Sequence, residues 1–234
     1  MQNLWIVIPT YNECDNIAEN LARLFKLNLS LNVLVVDDNS PDGTGELVDE
    51  LSRFYKGKLF VLHRPGKLGL GSAYRQGFAY CLGRGAQVVG EMDADLSHLP
   101  EDLPKLWEKI GQGAEVVIGS RRVRGGKIVG WGLGRHLISW GANTVSRLML
   151  ELKTHDVTAG FRLYKVEALE KIPWRTITSN GYAWQEEIIC LLERSGARVA
   201  EVPVIFNDRT YGKSKLRKKD IVEFFITIFR LTGK

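Results

Sequence analysis

Cysteine is scarce in this chain: Cys14, Cys81 and Cys190 are the only three in 234 residues, and no two form a Cys-x-x-Cys pair. An odd, dispersed set argues against a disulfide framework and against a structural zinc site, and fits packed thiols in a reducing compartment. The histidines His63, His98, His136 and His155 lack the His-x-x-x-His spacing of zinc enzymes. No Gly-x-Ser-x-Gly or Walker A sequence occurs, which removes the hydrolase elbow and the P-loop. No uninterrupted apolar run approaches the ~20 residues of a spanning helix. No basic stretch leads into a long apolar segment at the N-terminus, so neither a membrane span nor a signal peptide is expected. Internal repeats and low-complexity linkers are also missing, which leaves one α/β domain, with or without a short appendage.

What is present suits a globular protein. Hydrophobic residues make up 44% and charged residues 25%, enough apolar material for a core without disulfides. The net charge of +5 favours anionic partners such as nucleotides, lipid phosphates, nucleic acid or an anionic membrane, without choosing among them.

Runs rich in Val, Ile and Leu recur at Leu4–Pro9, Val33–Asp37, Leu59–His63, Ala86–Met92 and Glu115–Gly119. They lack strict alternation, as strands buried on both faces do. Between them lie helical patterns. Ile17, Leu21, Leu24 and Phe25 share one face of the segment from Asp15, and Leu103, Leu106, Trp107 and Ile110 share one face of the segment from Glu101. Repeated strand–helix–strand order predicts a Rossmann-like, mostly parallel central sheet with helices on both faces. Beyond Gly119, Arg121–Gly134 reads as a Gly- and Arg-rich loop and residues 135–150 as a helix. Phe161–Tyr164 and Val199–Phe206 read as strands, Ala183–Arg194 as a helix and Arg209–Lys219 as a basic loop.

Ligands of open α/β sheets sit outside the carboxyl ends of the strands, and the polar residues here gather at those ends. Pro9-Thr-Tyr11-Asn-Glu13 closes the first run, Asp37-Asp38-Asn-Ser40 the second and Asp93-Ala94-Asp95 the fourth. Oxygen ligands at the last position suit Mg2+ or Mn2+, which combine one or two carboxylates with substrate phosphates; the competing reading is a solvated turn that caps the next helix. Tyr11 is placed to lie against a base or ribose, Glu13 near the ribose or base edge, and Asp38 to accept from a nucleobase N–H; turn chemistry is the alternative for each. Arg64, Lys67 and Gly69-Leu-Gly71 suit phosphate approach or a turn before a helix. Ser120-Arg121-Arg122, with Arg124, offers phosphate forks or a solvated basic loop. Arg209, Lys213, Lys215, Arg217, Lys218 and Lys219 form a second basic group. Only Tyr211 interleaves it, which argues against a nucleic-acid surface.

Taken together, these residues resemble glycosyltransferase family 2, and within it most closely the dolichyl-phosphate (polyprenyl-phosphate) mannose synthases. The resemblance is carried by Ile8-Pro-Thr-Tyr-Asn-Glu13, Val36-Asp-Asp-Asn-Ser-Pro-Asp-Gly-Thr44, Met92-Asp-Ala-Asp-Leu-Ser-His98, Gly119-Ser-Arg121, Gly160-Phe-Arg-Leu-Tyr164 and Asp208-Arg-Thr-Tyr-Gly-Lys-Ser-Lys-Leu216, in order over nearly the whole chain. It implies a GT-A fold, with residues 1–216 as the catalytic domain and 217–234 as an amphipathic C-terminal helix. It implies that Pro9, Tyr11, Glu13, Val36 and Asp38 hold the nucleoside, and that Asp93, Ala94 and Asp95 handle the ribose, diphosphate and metal. Arg121, Arg209 and Lys215 match positions that contact phosphates of donor or acceptor, with Asp95 and Arg121 as the catalytic candidates. Some relatives have Gln where this chain has Ser97, whose shorter hydroxyl reaches the ion directly or through water.

The reaction implied is inverting transfer of mannose from GDP-mannose to a dolichyl or polyprenyl phosphate. The alternatives are a UDP-glucose or UDP-N-acetylhexosamine donor, or a non-catalytic nucleotide-binding scaffold. Family members meet the membrane through added helices or separate membrane subunits. Here the stretch Ile221–Lys234 sets Phe224, Phe225, Ile228 and Leu231 against a polar stripe of Glu223, Thr227 and Arg230. That pattern fits either a core-packed helix or an interfacial one at an anionic leaflet. A peripheral position on the cytoplasmic face of a membrane is the corresponding expectation.

Overall fold

The computed structural model describes residues 3–179, 181, 183–208 and 218–232, the last stretch with side chains from 222 onward. In chain order the elements are β1 (Leu4–Thr10), α1 (Cys14–Phe25), β2 (Leu31–Asp37), α2 (Thr44–Phe54), β3 (Leu59–His63), α3 (Leu70–Leu82), β4 (Val88–Glu91), α4 (Leu103–Gly111) and β5 (Val116–Ser120). There follow β6 (Lys127–Val129), α5 (Leu133–Leu150), β7 (Arg162–Lys165), α6 (Val166–Leu169), α7 (Ala183–Arg194), β8 (Val199–Pro203), β9 (Ile205–Asn207) and α8 (Lys218–Thr232).

Seven strands form one sheet in the order β3-β2-β1-β4-β7-β5-β8. All pairings are parallel except those of β7, which runs antiparallel to both β4 and β5. The other six strands therefore end on one edge. Side-chain alternation explains the continuous apolar runs: Leu4, Ile6 and Ile8 enter one core while Trp5 and Val7 enter the other, and Val33 and Val35 oppose Leu34 and Val36. One face is covered by Ile17, Leu21 and Leu24 of α1 with Leu103, Leu106 and Ile110 of α4. The other is covered by α3, α7 and α8, where Tyr74, Phe78, Trp184, Ile188 and Ile228 pack. α3 approaches β1 so closely that a Cβ on Gly77 would lie 2.5 Å from Val7 Cγ1, a position no larger residue fills without backbone movement.

Three local expectations change. The loop expected over Arg121–Gly134 contains β6, and the single strand expected over Val199–Phe206 is two strands in different sheets. β8 continues the main sheet beside β5, while β9 pairs with β6 in a two-stranded parallel sheet. The break falls at Pro203, which has no N–H to carry the ladder on, and Val204 N–H turns back to Ser120 O at 3.1 Å. Third, α8 is not simply one of its two expected forms, core-packed or interfacial: Thr227 and Arg230 of its polar stripe turn toward the protein while part of its apolar face stays exposed. Thr227 is buried, and Arg230 donates to Thr178 Oγ1, Ser179 Oγ and Glu187 Oε2. Phe224, Ile228 and Leu231 flank it in the core, whereas Val222, Phe225, Ile226 and Phe229 are exposed. α5 packs against α8 and likewise exposes Leu133, Leu137, Ile138, Trp140 and Leu148. No helix among the described residues is long and apolar enough to cross a membrane.

Candidate active site

The turns after β1 and β2 are tied to each other. Asn12 and Asn39 adopt left-handed φ values of 57° and 56°, a conformation asparagine tolerates better than most residues. Asn12 N–H donates to Ser40 Oγ at 3.0 Å and Glu13 N–H to Thr44 Oγ1 at 3.0 Å. Asp37 is a strut: it accepts from Thr10 Oγ1 at 2.9 Å and from Ser40 N–H and Oγ at 3.0 and 2.5 Å. Asp38, its neighbour, points elsewhere, with Oδ1 3.1 Å from the buried Arg64 Nε. Burial raises the Asp38 pKa, and the Arg64 charge opposes the rise. Pro9, Tyr11 and Glu13 are half-buried beside these turns, with Lys67 Nζ 4.2 Å above the Tyr11 ring. Val36 is fully buried in the core. Gly71 serves packing: its Cβ position lies 2.2 Å from Ser179 O.

The carboxylate pair follows β4. Asn20 of α1 donates to the carbonyls of Asp93 and Ala94 at 3.2 and 3.3 Å, which fixes the turn. Asp95 is buried and its Oδ1 accepts Ser97 N–H at 3.1 Å, whereas the Asp93 side chain is 38% exposed. Leu96, between Asp95 and Ser97, has φ 59°, a strained conformation worth about 1–2 kcal/mol that a branched residue adopts only when its surroundings enforce it. Ser97 Oγ is buried and has no hydrogen-bond partner among the described residues. Two carboxylates with an adjacent hydroxyl are hard oxygen donors. No cluster of three or more His, Cys, Asp or Glu side chains forms a ready cage among the described residues. That set fits Mg2+ or Mn2+, which takes its remaining ligands from substrate phosphates and water.

His98 leads from this turn to a basic region. It is fully buried, with Nδ1 3.5 Å from Asp93 Oδ2 and its ring against Phe161 and Phe206. Burial, then the Arg121 charge, lower its pKa to about 4, so the ring is neutral. The Phe206 ring in turn lies 5.2 Å from the Arg121 guanidinium. Arg121 is held by Asp156: its Nη2 and Nε donate to the two carboxylate oxygens at 2.6 and 2.7 Å, its backbone N–H donates at 2.9 Å, and Nη2 also reaches Thr158 Oγ1 at 2.8 Å. Burial works to raise the Asp156 pKa, but Arg121 more than offsets it and holds the carboxyl at about 2. Arg121 and Arg122 form one wall of a cavity of about 430 Å³ that Lys127, His136, Arg147 and His155 also line.

The structure thus brings Asp93, Asp95, Ser97 and Arg121 into one region, with Asp38, Tyr11 and Glu13 at the neighbouring strand ends. Arg209 and Lys215 lie outside the described residues, as do Tyr211, Lys213 and Arg217 and the side chains of Lys218 and Lys219. Sequence reasoning missed Asp156, Thr158, His98 and Arg147. The clue for the first two was a lone carboxylate in Asp156-Val-Thr-Ala-Gly-Phe-Arg162; His98 closes the Met92–His98 motif but was given no role, and Arg147 carried no local signal.

The chain is also similar to known proteins in sequence and in fold. The profile of glycosyl transferase family 2 matches residues 5–173. The chain is 43% identical over 222 residues to polyprenol monophosphomannose synthase of Mycolicibacterium smegmatis, covering 95% of this chain and 84% of that one. It is 44% identical over 224 residues to undecaprenyl-phosphate mannosyltransferase of Micrococcus luteus, covering 96% and 91%. Among solved structures, glucosyl-3-phosphoglycerate synthase of Mycobacterium tuberculosis with Mn2+, UDP-glucose and phosphoglyceric acid superposes with a TM-score of 0.69 at 19% identity, covering 99% of this chain and 80% of that one. A mannosyltransferase of Pyrobaculum calidifontis with GDP-Man and Mn2+ gives 0.63 at 18% identity, covering 97% of this chain and 64% of its own.

Proposed function

The chain belongs to glycosyl transferase family 2, and from that membership we propose that it transfers mannose from GDP-mannose to a polyprenyl phosphate with inversion at the anomeric carbon. One observation carries the proposal. The Asp93–Ser97 carboxylate turn and the Arg121-lined cationic cavity are neighbours, joined through His98 and Phe206. A donor diphosphate and an acceptor phosphate therefore have separate, adjacent seats of suitable charge.

In this reading Asp38 accepts from a guanine N–H and Tyr11 lies along the nucleoside. Asp93 and Asp95, with Ser97 directly or through water, hold Mg2+ or Mn2+; when bound, the ion neutralises charge on the departing diphosphate. The acceptor phosphate enters the cavity, where Arg121, Arg122, Lys127 and Arg147 offset its repulsion from the donor. A phosphate monoester carries about −1.5 to −2 charge at pH 7, so its oxygen attacks the anomeric carbon without a general base as the nucleoside diphosphate leaves. Asp156, with its pKa held at about 2, is ionised at neutral pH and keeps Arg121 oriented. The exposed apolar residues of α5 and α8 seat the enzyme peripherally on a membrane, on its cytoplasmic face, beside the cavity that α5 helps to line. The names of the relatives support the sugar and the lipid acceptor.

Transfer of radiolabelled mannose from GDP-mannose to a short-chain polyprenyl phosphate tests the proposal, with UDP-glucose and UDP-N-acetylglucosamine as competing donors. Label in the lipid fraction only with GDP-mannose is the expected result. Transfer from a UDP-sugar instead would overturn the donor assignment, and no transfer from any donor would favour a nucleotide-binding scaffold.

A further inference from the structure

The segment that holds Arg121 has no secondary structure of its own between α5 and β7, and side chains from other elements build it. Glu193 of α7 accepts from the backbone N–H groups of Lys153 and Thr154, and Glu201 of β8 from those of His155 and Asp156. Asn143 of α5 accepts from Val157 N–H. A further tether is Arg162, which is fully buried at the start of β7. Its Nε donates to Ala159 O at 2.7 Å, Nη2 to Val157 O at 2.7 Å and Nη1 to Gln185 O, at the N-terminal end of α7, at 2.9 Å.

We propose that Arg162 is a positioning residue for transfer: by clamping the carbonyls of Val157, Ala159 and Gln185 it sets the 156–160 segment so that Asp156 and Thr158 aim Arg121 at the acceptor cavity. The same segment carries Gly160, whose Cβ position lies 3.5 Å from Asp93 Oδ2, so one clamp registers the acceptor side against the donor side. This rests on the reading of Arg121 as an acceptor-phosphate ligand.

The residue type follows from the geometry. Three carbonyls in different directions need a planar fork of fixed N–H vectors, which guanidinium supplies and ammonium does not. A fully buried cation also needs counter-charge. Fully buried Tyr164, Glu91 and Glu186 act electrostatically on Arg162; burial raises the Glu91 pKa to about 7 and the Glu186 pKa to about 8, so the balancing charge at pH 7 falls mainly on Glu91, which accepts from Trp184 Nε1 at 2.6 Å. Arg162 does not touch the cavity, so a purely structural role would lower stability and affect donor and acceptor alike.

The test compares the full chain with R162K, R121Q and the double variant. It measures the thermal midpoint, the apparent Kd of GDP in Mn2+, and KM and kcat for a short-chain polyprenyl phosphate. In R162K the GDP Kd is expected to stay within about two-fold while the acceptor KM rises at least about ten-fold. R121Q should raise the acceptor KM as well, and adding R162K to it should raise the KM little further. If R121Q raises the acceptor KM and R162K does not, the positioning role fails and the Arg121 reading stands. If R121Q changes nothing, the Arg121 reading fails and this inference with it. Equal loss of GDP and acceptor binding in R162K also overturns the proposal. R162Q, measured in the same way, covers poor folding of R162K; failure of both to fold would make Arg162 a determinant of the fold instead.

Discussion

Asp156→Asn isolates the electrostatic anchor of the cavity. The change keeps the volume and removes the charge that faces Arg121. In the folded protein the carboxyl titrates at about 2, against an ordinary value of 3.8, a gap worth about 2 kcal/mol at neutral pH. Losing the carboxylate also leaves the Arg121 guanidinium, whose side chain is 6% exposed, without its ion-pair partner. Breaking a buried pair from one side costs about 3–5 kcal/mol. Urea unfolding at pH 7 should therefore show the midpoint falling by about 1–2 M if the slope is about 2–3 kcal/mol/M. The sign with pH follows from the depressed pKa: the wild-type advantage is fully present above 3.8 and is lost as pH falls toward 2, with about half of the ionisation contribution gone near pH 3. In the transfer assay D156N should raise the acceptor KM more than the GDP Kd. A midpoint within about 0.3 M of wild type, with unchanged acceptor kinetics, would refute the assignment of Asp156 as the anchor of Arg121.

Asp95→Ala should abolish transfer, because Asp95 supplies a proposed metal ligand beside the Ser97 N–H that its Oδ1 accepts; Mn2+-dependent protection by GDP in a thermal-shift assay should vanish with it, while the far-UV spectrum stays that of the wild type. Chelation by EDTA should likewise remove that protection from the wild type and leave its far-UV spectrum unchanged, and protection that survives chelation would argue against the metal site. Replacing Leu137 and Phe229, which are 68% and 65% exposed, by Glu should weaken sedimentation with anionic liposomes by at least about ten-fold through lost apolar insertion while sparing turnover of a short, soluble acceptor. Leu21→Ala, in a fully buried position of α1, should cost about 2–5 kcal/mol in urea unfolding.

The strand-end residues were legible because local rules and global topology agree there. Runs buried on both faces announce parallel strands, and six of the seven strands in the main sheet deliver their carboxyl ends to one edge. Asp93 and Asp95 could be singled out since polar residues directly after a buried strand have few structural uses. Asp37 and Asp38 show the limit of that logic. They are chemically identical neighbours, yet one is a strut between two turns and the other faces Arg64, and only the backbone path through Asn39 distinguishes them. Arg121 was recognisable as a cation at a strand end, whereas its partner Asp156 lies 35 residues on. No helical or strand period links two such residues, and the antiparallel β7 that brings the second one back reads from sequence as one more short apolar run.

The C-terminal helix exposes a deeper reason for such failures. A helical period measures how side chains are distributed around an axis, but it does not say which side meets water. In α8, the period groups Thr227 and Arg230 into one stripe but leaves open whether that stripe faces solvent or protein. They meet Ser179 and Glu187, so the partly exposed charge of Arg230 is paired and hydrogen-bonded. The apolar residues divide between the core and the surface. A polar contact buried between α7 and α8 leaves Phe225, Ile226 and Phe229 without a protein surface to cover them among the described residues. α5 repeats the arrangement: Asn143 and Ser146 are buried while Leu137, Ile138 and Trp140 are exposed. Two adjacent helices, each with polar groups inside and apolar groups outside, present the pattern that the proposed peripheral membrane seat would select.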